Sequence, residues 1–536
     1  MAGSGPDIGS YSPLTGFVFI FNLIVGAGAL TIPRAFAQVG LVYGSVALAT
    51  LAVTSYVTAT FMVEAIAGVN ALRRRERHVR ATAAGSAADN TGDSDVEDQD
   101  DDDDRMQTEF MPLMADDKLE KRLRVKSPDV LFKFDLSKKM ELAQMAETLF
   151  SRNGNIAFYA CVIVYLFGDL AIYAVAVPKS MREIVCPRPS PTASRWRCSE
   201  HLDSSQLYKL FVVAFGLLLS PFAFGHVSKT RTLQFVTTVV RHVSFGLMIL
   251  LALVGIARGE GRSFDDVLSY ERPENISTFF GVCIYSFMCH HSIPGFIAPI
   301  TNKARVGFVL ASAFAAVLCV YVVLSYSATF RFQPDEIDDV YTLNFKSYPI
   351  RAVAYFLSLF PVCTLSANFP VITITLRENL RTLAQSVSGS GDEHDEAAAA
   401  ASHGDSGESE SEAGGVLAFV ARHMYALIAV VPPLMVAFCT EDVSMLVGFT
   451  GAYAGLGIQW VVPTCLVFCL RRRLEAERTR SLAQTDDGAV KSGALVPKNA
   501  STQNPFGSPF AHVGWLYLIL VCAVASTVVI TRSHFK

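Results

Sequence analysis

The stretch FNLIVGAGALTIPRAF, residues 21–36, interrupts an apolar run with Gly26, Gly28 and Pro33. Glycine costs about 1 kcal/mol and proline about 3 kcal/mol in a helix interior, so a helix is expected to break here. Unwound backbone is tolerated at membrane depth only where it is buried in protein or lines a cavity. The stretch therefore predicts a broken membrane helix at a functional site, with a close-packing face of small residues as the alternative.

A second interruption lies in CIYSFMCHHSIPGFIAP, residues 283–299, with His290, His291, Pro294 and Gly295 at its middle. The two interrupted spans stand five spans apart, and because five is odd the second begins on the opposite membrane face. This arrangement is typical of inverted-repeat transporters, in which half-helix N-termini bind carboxylates and free carbonyls hold a cation. The two breaks predict a secondary transporter of small solutes that works by alternating access.

Composition supports a membrane protein. The 536 residues are 51% hydrophobic and carry a net charge of -4, although long polar tracts interrupt the chain. A bilayer core needs about 20 apolar residues per helix, and eleven such stretches occur. We therefore predict an all-α polytopic membrane protein with eleven transmembrane helices that contact lipid. The predicted spans are 15–36, 41–67, 156–177, 207–224, 235–257, 279–300, 306–330, 350–376, 416–438, 443–470 and 512–531.

The polar tracts set the domain organisation. Residues 92–104, GDSDVEDQDDDDD, cannot bury enough apolar surface to fold alone, and they predict a disordered cytosolic linker with possible cytosolic partners. The predicted segments are a cytosolic tail 1–14, helices 1–2 in 15–67, an acidic linker 68–136, an interfacial amphipathic helix 137–152, helices 3–8 in 153–376, a second disordered linker 377–415, helices 9–10 in 416–470, a cytosolic loop 471–511 and helix 11 in 512–532.

Basic residues predict the orientation, because positive charge resists translocation. Arginine clusters at residues 73–80 and 471–480 follow spans 2 and 10, which places the N-terminus in the cytosol. With an odd span count, the C-terminus is then lumenal or extracellular. The basic residues of loop 179–209 contradict this assignment, but the basic residues of the other flanks outnumber them. A sorting-like motif at residues 109–114 favours lysosomes or endosomes, with the plasma membrane as the alternative.

Two features of the predicted outer side depend on the compartment. Cys186 and Cys198 are the loop cysteines, and an oxidising lumen or exterior favours a disulfide between them. Asn275 begins an Asn-Ile-Ser sequon, which predicts glycosylation.

The sequence suggests no nucleic-acid partner, no cofactor and no catalytic arrangement, so we do not expect an enzyme. A nucleotide-binding glycine loop is also missing from the sequence, so transport is expected to use a Na⁺ or H⁺ gradient.

The interrupted spans also carry a family resemblance. NLIVGAGALTIP at residues 22–33 resembles the first span of the amino acid/auxin permease superfamily, which includes sodium-coupled neutral amino acid transporters. Phe287, Cys289 and His290 resemble the sixth span of the same group. The resemblance implies a leucine-transporter-like fold in which spans 1–5 and 6–10 form a five-plus-five inverted repeat. It favours amino acids as the solute, although span 6 has Ala298-Pro299 where many relatives have a glutamate-rich exit, and this departure weakens the transfer of substrate preference.

The resemblance implies roles for single residues. Asn22 matches an asparagine of the cation site, and Ser366 with Asn368 stands where relatives present hydroxyls before a proline in span 8, with Thr364 as a nearby substitute. This departure from the family pattern weakens the case for Na⁺. The implied substrate site comprises Gly26, Ala27, Gly28, Ala29, Leu30, Phe287 and His290.

Ionisable residues inside spans are costly and usually face a cavity or a partner. Asp169 lies at the middle of span 3, where it could pair with a cation or relay protons; the alternative is a structural hydrogen bond to Tyr165 or Tyr173. His290 could sense an acidic lumen or simply be a satisfied histidine in a helix break. The competing function is a non-transporting nutrient sensor or scaffold that keeps the fold and signals through the acidic linkers.

Overall fold

The computed structural model describes residues 10–88, 132–186, 198, 202–224, 231–388, 412–492 and 504–534. These residues form a helical bundle. The helices are α1 Pro13–Ile24, α2 Gly28–Val39, α3 Leu41–Ala88, α4 Leu142–Leu149, α5 Arg152–Val185, α6 Ser204–Leu219, α7 Arg231–Ala257, α8 Phe264–Ser269, α9 Ile276–Ser286, α10 Ile293–Ile297, α11 Val306–Arg331, α12 Arg351–Ser388, α13 Glu412–Cys439, α14 Val443–Thr450, α15 Val462–Ser492 and α16 Val513–His534. Three spans consist of two helices each: span 1 is α1 plus α2, span 6 is α9 plus α10, and span 10 is α14 plus α15. Spans 2, 3, 4 and 5 are α3, α5, α6 and α7. Spans 7, 8, 9 and 11 are α11, α12, α13 and α16.

Span 1 is broken at residues 25–27, where α1 and α2 meet at an angle of 59°. Ser12 caps α1 and Pro13 occupies its first turn, a position that needs no proline N–H. Span 6 is broken more widely, between Ser286 and Ile293. The predicted all-helical fold with interruptions in spans 1 and 6 is confirmed.

The two broken spans pair with each other at both ends. Near the start of span 1, the Tyr11 N–H donates to Pro299 O at 3.0 Å, and the Thr301 N–H donates to Tyr11 O at 3.0 Å. At the far end, the Arg272 N–H donates to Val39 O at 2.8 Å. The beginning of each broken span therefore meets the end of the other, so the spans run antiparallel, as an inverted repeat requires.

Length and hydropathy give fewer membrane crossings than the predicted eleven. Among the described residues, eight helices are long and apolar enough to cross a membrane, or nine if α1 and α2 count as one span. The predicted count of eleven is therefore not established by length and hydropathy. Span 6 is divided into short pieces by its break, and the described apolar part of α13, His423–Cys439, is shorter than a full crossing.

Three helices extend past the predicted ends of their spans. The structure continues α3 to Ala88, α12 to Ser388 and α15 to Ser492, into the predicted linkers 68–136 and 377–415 and the predicted loop 471–511. The hydrogen bonds of a helix lie within the segment itself, so loss of hydrophobicity alone does not end it. Packing also stabilises the extension of α3, because Asn70 is buried and its Nδ2 donates to Asp135 O at 2.9 Å. The acidic run 92–104 lies outside the described residues.

The predicted amphipathic helix 137–152 is shorter in the structure, where it spans Leu142–Leu149. Glu141 begins it with a capping box, and Phe150 ends it in an extended conformation before Ser151 caps α5. Its buried residues are Leu142, Met145 and Ala146, and Met140 just before the helix is buried as well. The helix α4 contacts α3, α5 and α15, so its buried face packs against the bundle.

Candidate functional site at the junction of the two breaks

The breaks of spans 1 and 6 lie in direct contact. A Cβ atom added to Gly28, the first residue of α2, would lie 2.7 Å from Cα of Ser286, the last residue of α9. Only glycine permits this approach between the two backbones. Nearly all side chains of α2 and α9 are buried, so the junction lies inside the bundle.

The N-terminal end of α2 presents free amide groups at this junction. The N–H groups of Ala27 and Gly28 make no hydrogen bond to any residue that the structure describes. The next two are occupied within the turn, because Ala29 N donates to Gly26 O at 3.3 Å and Leu30 N donates to Ala27 O at 3.0 Å. A helix N-terminus with free N–H groups carries a partial positive charge and favours an anion.

The C-terminal end of α1 is occupied by side chains from two other helices. Arg241 of α7 donates from one guanidinium nitrogen to Asn22 O at 2.9 Å and to Val25 O at 2.7 Å. The Tyr321 hydroxyl of α11 lies within hydrogen-bonding distance of Ile24 O, at 3.2 Å, and of Ser286 O, at 3.0 Å. Tyr321 thus links the broken ends of both spans.

Sequence reasoning did not identify Arg241 or Tyr321. The signal for Arg241 was available, since it is a charged residue inside the apolar run of span 5, and such residues usually face a cavity or a partner. Tyr321 gave no comparable signal, because a tyrosine in an apolar span is ordinary. Its role depends on the two carbonyls that the fold brings to its hydroxyl.

Asp169 of α5 lies near the junction, next to Tyr285. It is 6% exposed, and its Oδ1 atom has no hydrogen-bond partner in the described part of the chain. The side chains of Tyr165 and Tyr285 interact with its carboxyl group, and Tyr285 directly precedes Ser286. No ion pair to Asp169 is found among the described residues. A buried carboxyl group without a counter-charge favours a cationic ligand or a proton.

Tyr173 connects Asp169 to the rest of the site. Its side chain interacts with Asp169, with Arg241 and with Asn368 of α12. We call these four residues the central polar cluster. It brings together two residues predicted for cation coupling, Asp169 and Asn368, and it lies beside the junction through Tyr285.

The other residues predicted for cation coupling have different surroundings. The Thr364 hydroxyl donates to Phe360 O of its own helix at 2.9 Å, so it points back along α12. Ser366 is half-buried on the same helix. The backbone carbonyl of Asn22 accepts from Arg241, while its side-chain Oδ1 is buried without a partner in the described chain. Their roles in cation coupling remain predictions.

The two predicted substrate residues of span 6 pack against neighbouring helices, and their role in substrate binding stays a prediction. The Phe287 ring is fully buried between Phe314 and Tyr321, at centroid distances of 6.4 and 5.3 Å. The His290 Nε2 atom lies 2.9 Å from Thr58 Oγ1 in α3. His291 is exposed, and its ring centroid lies 5.8 Å from that of Tyr165.

The features predicted for the outer side also have definite positions. Cys186 and Cys198 form a disulfide, with their Cα atoms 5.2 Å apart. Asn275 is half-buried at the start of span 6, and its Nδ2 donates to Gln38 O at 2.9 Å. Glycosylation of Asn275 remains a prediction.

Comparison with known proteins agrees with this architecture. The family model described as transmembrane amino acid transporter protein matches residues 9–84 and 137–486. The chain belongs to this family. Membership makes it a multi-pass membrane transporter of small molecules and not an enzyme. The unmatched interval between the two blocks contains the acidic run 92–104.

Several relatives are similar to this chain along its whole length. Transmembrane protein 104 of Gallus gallus is 36% identical over 99% of this chain and 98% of its own. The Homo sapiens protein of the same name is 36% identical over 99% and 98%. The Drosophila melanogaster homolog is 32% identical over 98% of both chains. A solved structure titled inward facing conformation of Mhp1 has a TM-score of 0.47 and 13% identity, over 99% of this chain and 96% of that one.

Proposed function

We propose that this family member transports amino acids by alternating access, with the substrate held at the junction of the two breaks. The proposal rests on two observations: the Asp169 carboxyl group interacts with Tyr285 next to the junction and has no counter-charge among the described residues, and the first N–H groups of α2 have no partner there. The N–H groups of Ala27 and Gly28 would bind the substrate carboxylate. Asp169 would bind its ammonium group.

The two ends of this site suit a zwitterion better than a singly charged solute. A carboxylic acid without an amino group would leave Asp169 unpaired, and an amine without a carboxylate would leave the α2 amides unpaired. An unpaired buried polar group typically costs 1–3 kcal/mol, and more when it is charged. Discrimination against either analogue therefore follows from the site's own polarity.

The proposed orientation has a cytosolic N-terminus and a lumenal or extracellular C-terminus, in lysosomes, endosomes or the plasma membrane. Basic residues on the predicted outer side argued against it, but two of them are neutralised in ion pairs. Lys179 Nζ lies 2.7 Å from Asp339 Oδ1, and Arg182 lies 2.5 Å from Glu441 Oε2. The rule counts Lys and Arg themselves, and the arginine clusters at residues 73–80 and 471–480 favour the proposed orientation.

Uptake into vesicles tests the transport proposal. The full-length protein would be reconstituted and supplied with a mixture of radiolabelled amino acids. Wild-type protein should accumulate label, and Gly28→Leu should abolish uptake because its side chain would enter the backbone of Ser286. Gly246→Leu is the matched control, since a Cβ there meets nothing within 4 Å.

Two results would count against the proposal. Equal uptake by Gly28→Leu and Gly246→Leu would remove the junction as the substrate site. Wild-type protein that binds amino acids but moves none would contradict transport and support the sensor hypothesis.

A further inference from the structure

Arg241 is a charged residue inside span 5. It lies six residues after the predicted start of this span at residue 235, which is about 9 Å along the axis at 1.5 Å per residue. Within the described chain it forms no ion pair with a carboxylate. Its hydrogen bonds go to the backbone carbonyls of Asn22 and Val25, at 2.9 and 2.7 Å.

These two carbonyls belong to the broken end of α1. The last carbonyls of a helix have no partner inside it and carry a partial negative charge. In transporters with broken helices, unwound carbonyls and half-helix C-termini coordinate the coupling cation. The guanidinium of Arg241 therefore occupies the kind of site that elsewhere holds a metal ion.

A guanidinium differs from a bound ion in two respects. It remains protonated at all physiological pH values, so its charge is constant. It is also covalently attached to α7 and cannot leave on either side of the membrane. The α1 carbonyls are thus neutralised throughout a transport cycle by the protein itself.

We propose that Arg241 is a tethered cation that replaces Na⁺ at the C-terminal end of α1, so that this site needs no sodium. What this proposal implies for the coupling of solute transport to an ion gradient rests on the proposed transport function. The ion requirement itself can be measured without any solute, so the two proposals can fail separately.

Removing the guanidinium should create a sodium site. Asn22 O and Val25 O would lose their donor, and the unpartnered Oδ1 atom of Asn22 belongs to the same residue. Oxygen ligands of this kind suit a hard cation. Arg241→Ala should therefore convert a sodium-independent protein into one that sodium stabilises.

The experiment compares melting temperatures of the purified full-length protein in NaCl and in choline chloride at equal concentration. Wild-type protein and Arg241→Lys should melt at the same temperature in both salts. Arg241→Ala should melt several degrees lower in choline chloride and recover part of the loss in NaCl. Binding of radioactive ²²Na⁺ should be at background for wild type and above it for Arg241→Ala.

Arg377→Ala is the matched control. Arg377 also donates to a backbone carbonyl near a helix end, Ala223 O at 2.8 Å, but away from the breaks. This variant should lose stability equally in both salts. A wild-type protein that melts higher in NaCl than in choline chloride would overturn the proposal. So would an Arg241→Ala protein that binds no ²²Na⁺. If Arg241→Ala does not fold, wild type and Arg241→Lys decide the question, since stabilisation of either by Na⁺ contradicts it.

Discussion

The two helix breaks use opposite means to keep their shape. The break of span 1 consists of Val25, Gly26 and Ala27, which have no polar side chains, and its carbonyl end is held by Arg241 and Tyr321 from other helices. The break of span 6 reaches outward with its own side chains instead. Phe287 packs on α11, and His290 contacts α3.

This difference separates recognition from anchoring. The break of span 1 has no polar side chains of its own, and the N–H groups of Ala27 and Gly28 have no partner in the described chain. Large residues in span 6 fix that break to neighbouring helices. Changes at the recognition side should therefore affect substrate more than stability, whereas changes at the anchors should do the reverse.

The largest expected effect is on the recognition side. Asp169→Asn keeps the size of the side chain but removes the charge proposed to bind the substrate ammonium group. Loss of a buried charge partner costs about 2–5 kcal/mol, so uptake of radiolabelled amino acids should fall about 100-fold. Asp265→Asn, at an exposed position on α8, should leave uptake unchanged. Full activity in Asp169→Asn would remove the carboxylate from the mechanism.

Substitutions in the break of span 6, on the anchoring side, should lower the stability of the protein. His290→Ala leaves a cavity and deprives Thr58 of its 2.9 Å contact, which should cost about 3 kcal/mol. The melting temperature in detergent should fall, while amino acid binding by the folded fraction should persist. Loss of binding with unchanged stability would reverse the roles assigned to the two breaks.

Tyr321 should show a smaller effect, because it touches both breaks. Tyr321→Phe removes one hydroxyl and should cost about 1 kcal/mol of stability. Tyr326→Phe is the control on the same helix, since its hydroxyl lies 2.8 Å from Ser45 Oγ, away from the junction. Both variants should lose similar stability, but only Tyr321→Phe should slow uptake. Equal uptake in the two variants would show that the link between the breaks has no functional role.

The smallest effect is expected where the two broken spans pair at their ends. The Tyr11 hydroxyl donates to Phe296 O at 2.5 Å in a half-buried position. Tyr11→Phe should therefore cost about 0.5–1 kcal/mol. A thermal melt would detect this as a small decrease, without a change in amino acid binding. A large loss of binding would mean that this pairing controls the site directly.

Sequence patterns predicted the break of span 1 because glycine has a local backbone effect, whereas Pro294 and Gly295 of span 6 lie inside α10 and not at its break. Gly26 and Gly28 marked the interruption of span 1 correctly, although Pro33 lies inside α2 and not at the break. Helix ends were predicted poorly, because polarity ends a membrane span without ending a helix. The structure therefore extends α3 to Ala88, well beyond the predicted span.

The site was only partly predictable for a different reason. Asp169 stood out as a charge in an apolar run, and the structure places it beside the junction. The contact of Arg241 with α1 joins residues 219 positions apart, and the two Tyr321 contacts span 297 and 35 positions. Such contacts depend on the packing of whole helices, which a single sequence does not specify locally.

Ligand stabilisation of the purified full-length protein tests the central claim most directly. Melting temperatures would be measured with a panel of amino acids, with the matching carboxylic acids that lack the amino group, and with the matching amines that lack the carboxylate. The account predicts that at least one amino acid raises the melting temperature of wild type, and that neither of its analogues does. It also predicts no such increase for Asp169→Asn. Equal stabilisation by an amino acid and its des-amino analogue, in wild type and in Asp169→Asn, would contradict a zwitterion site at the junction of the two breaks.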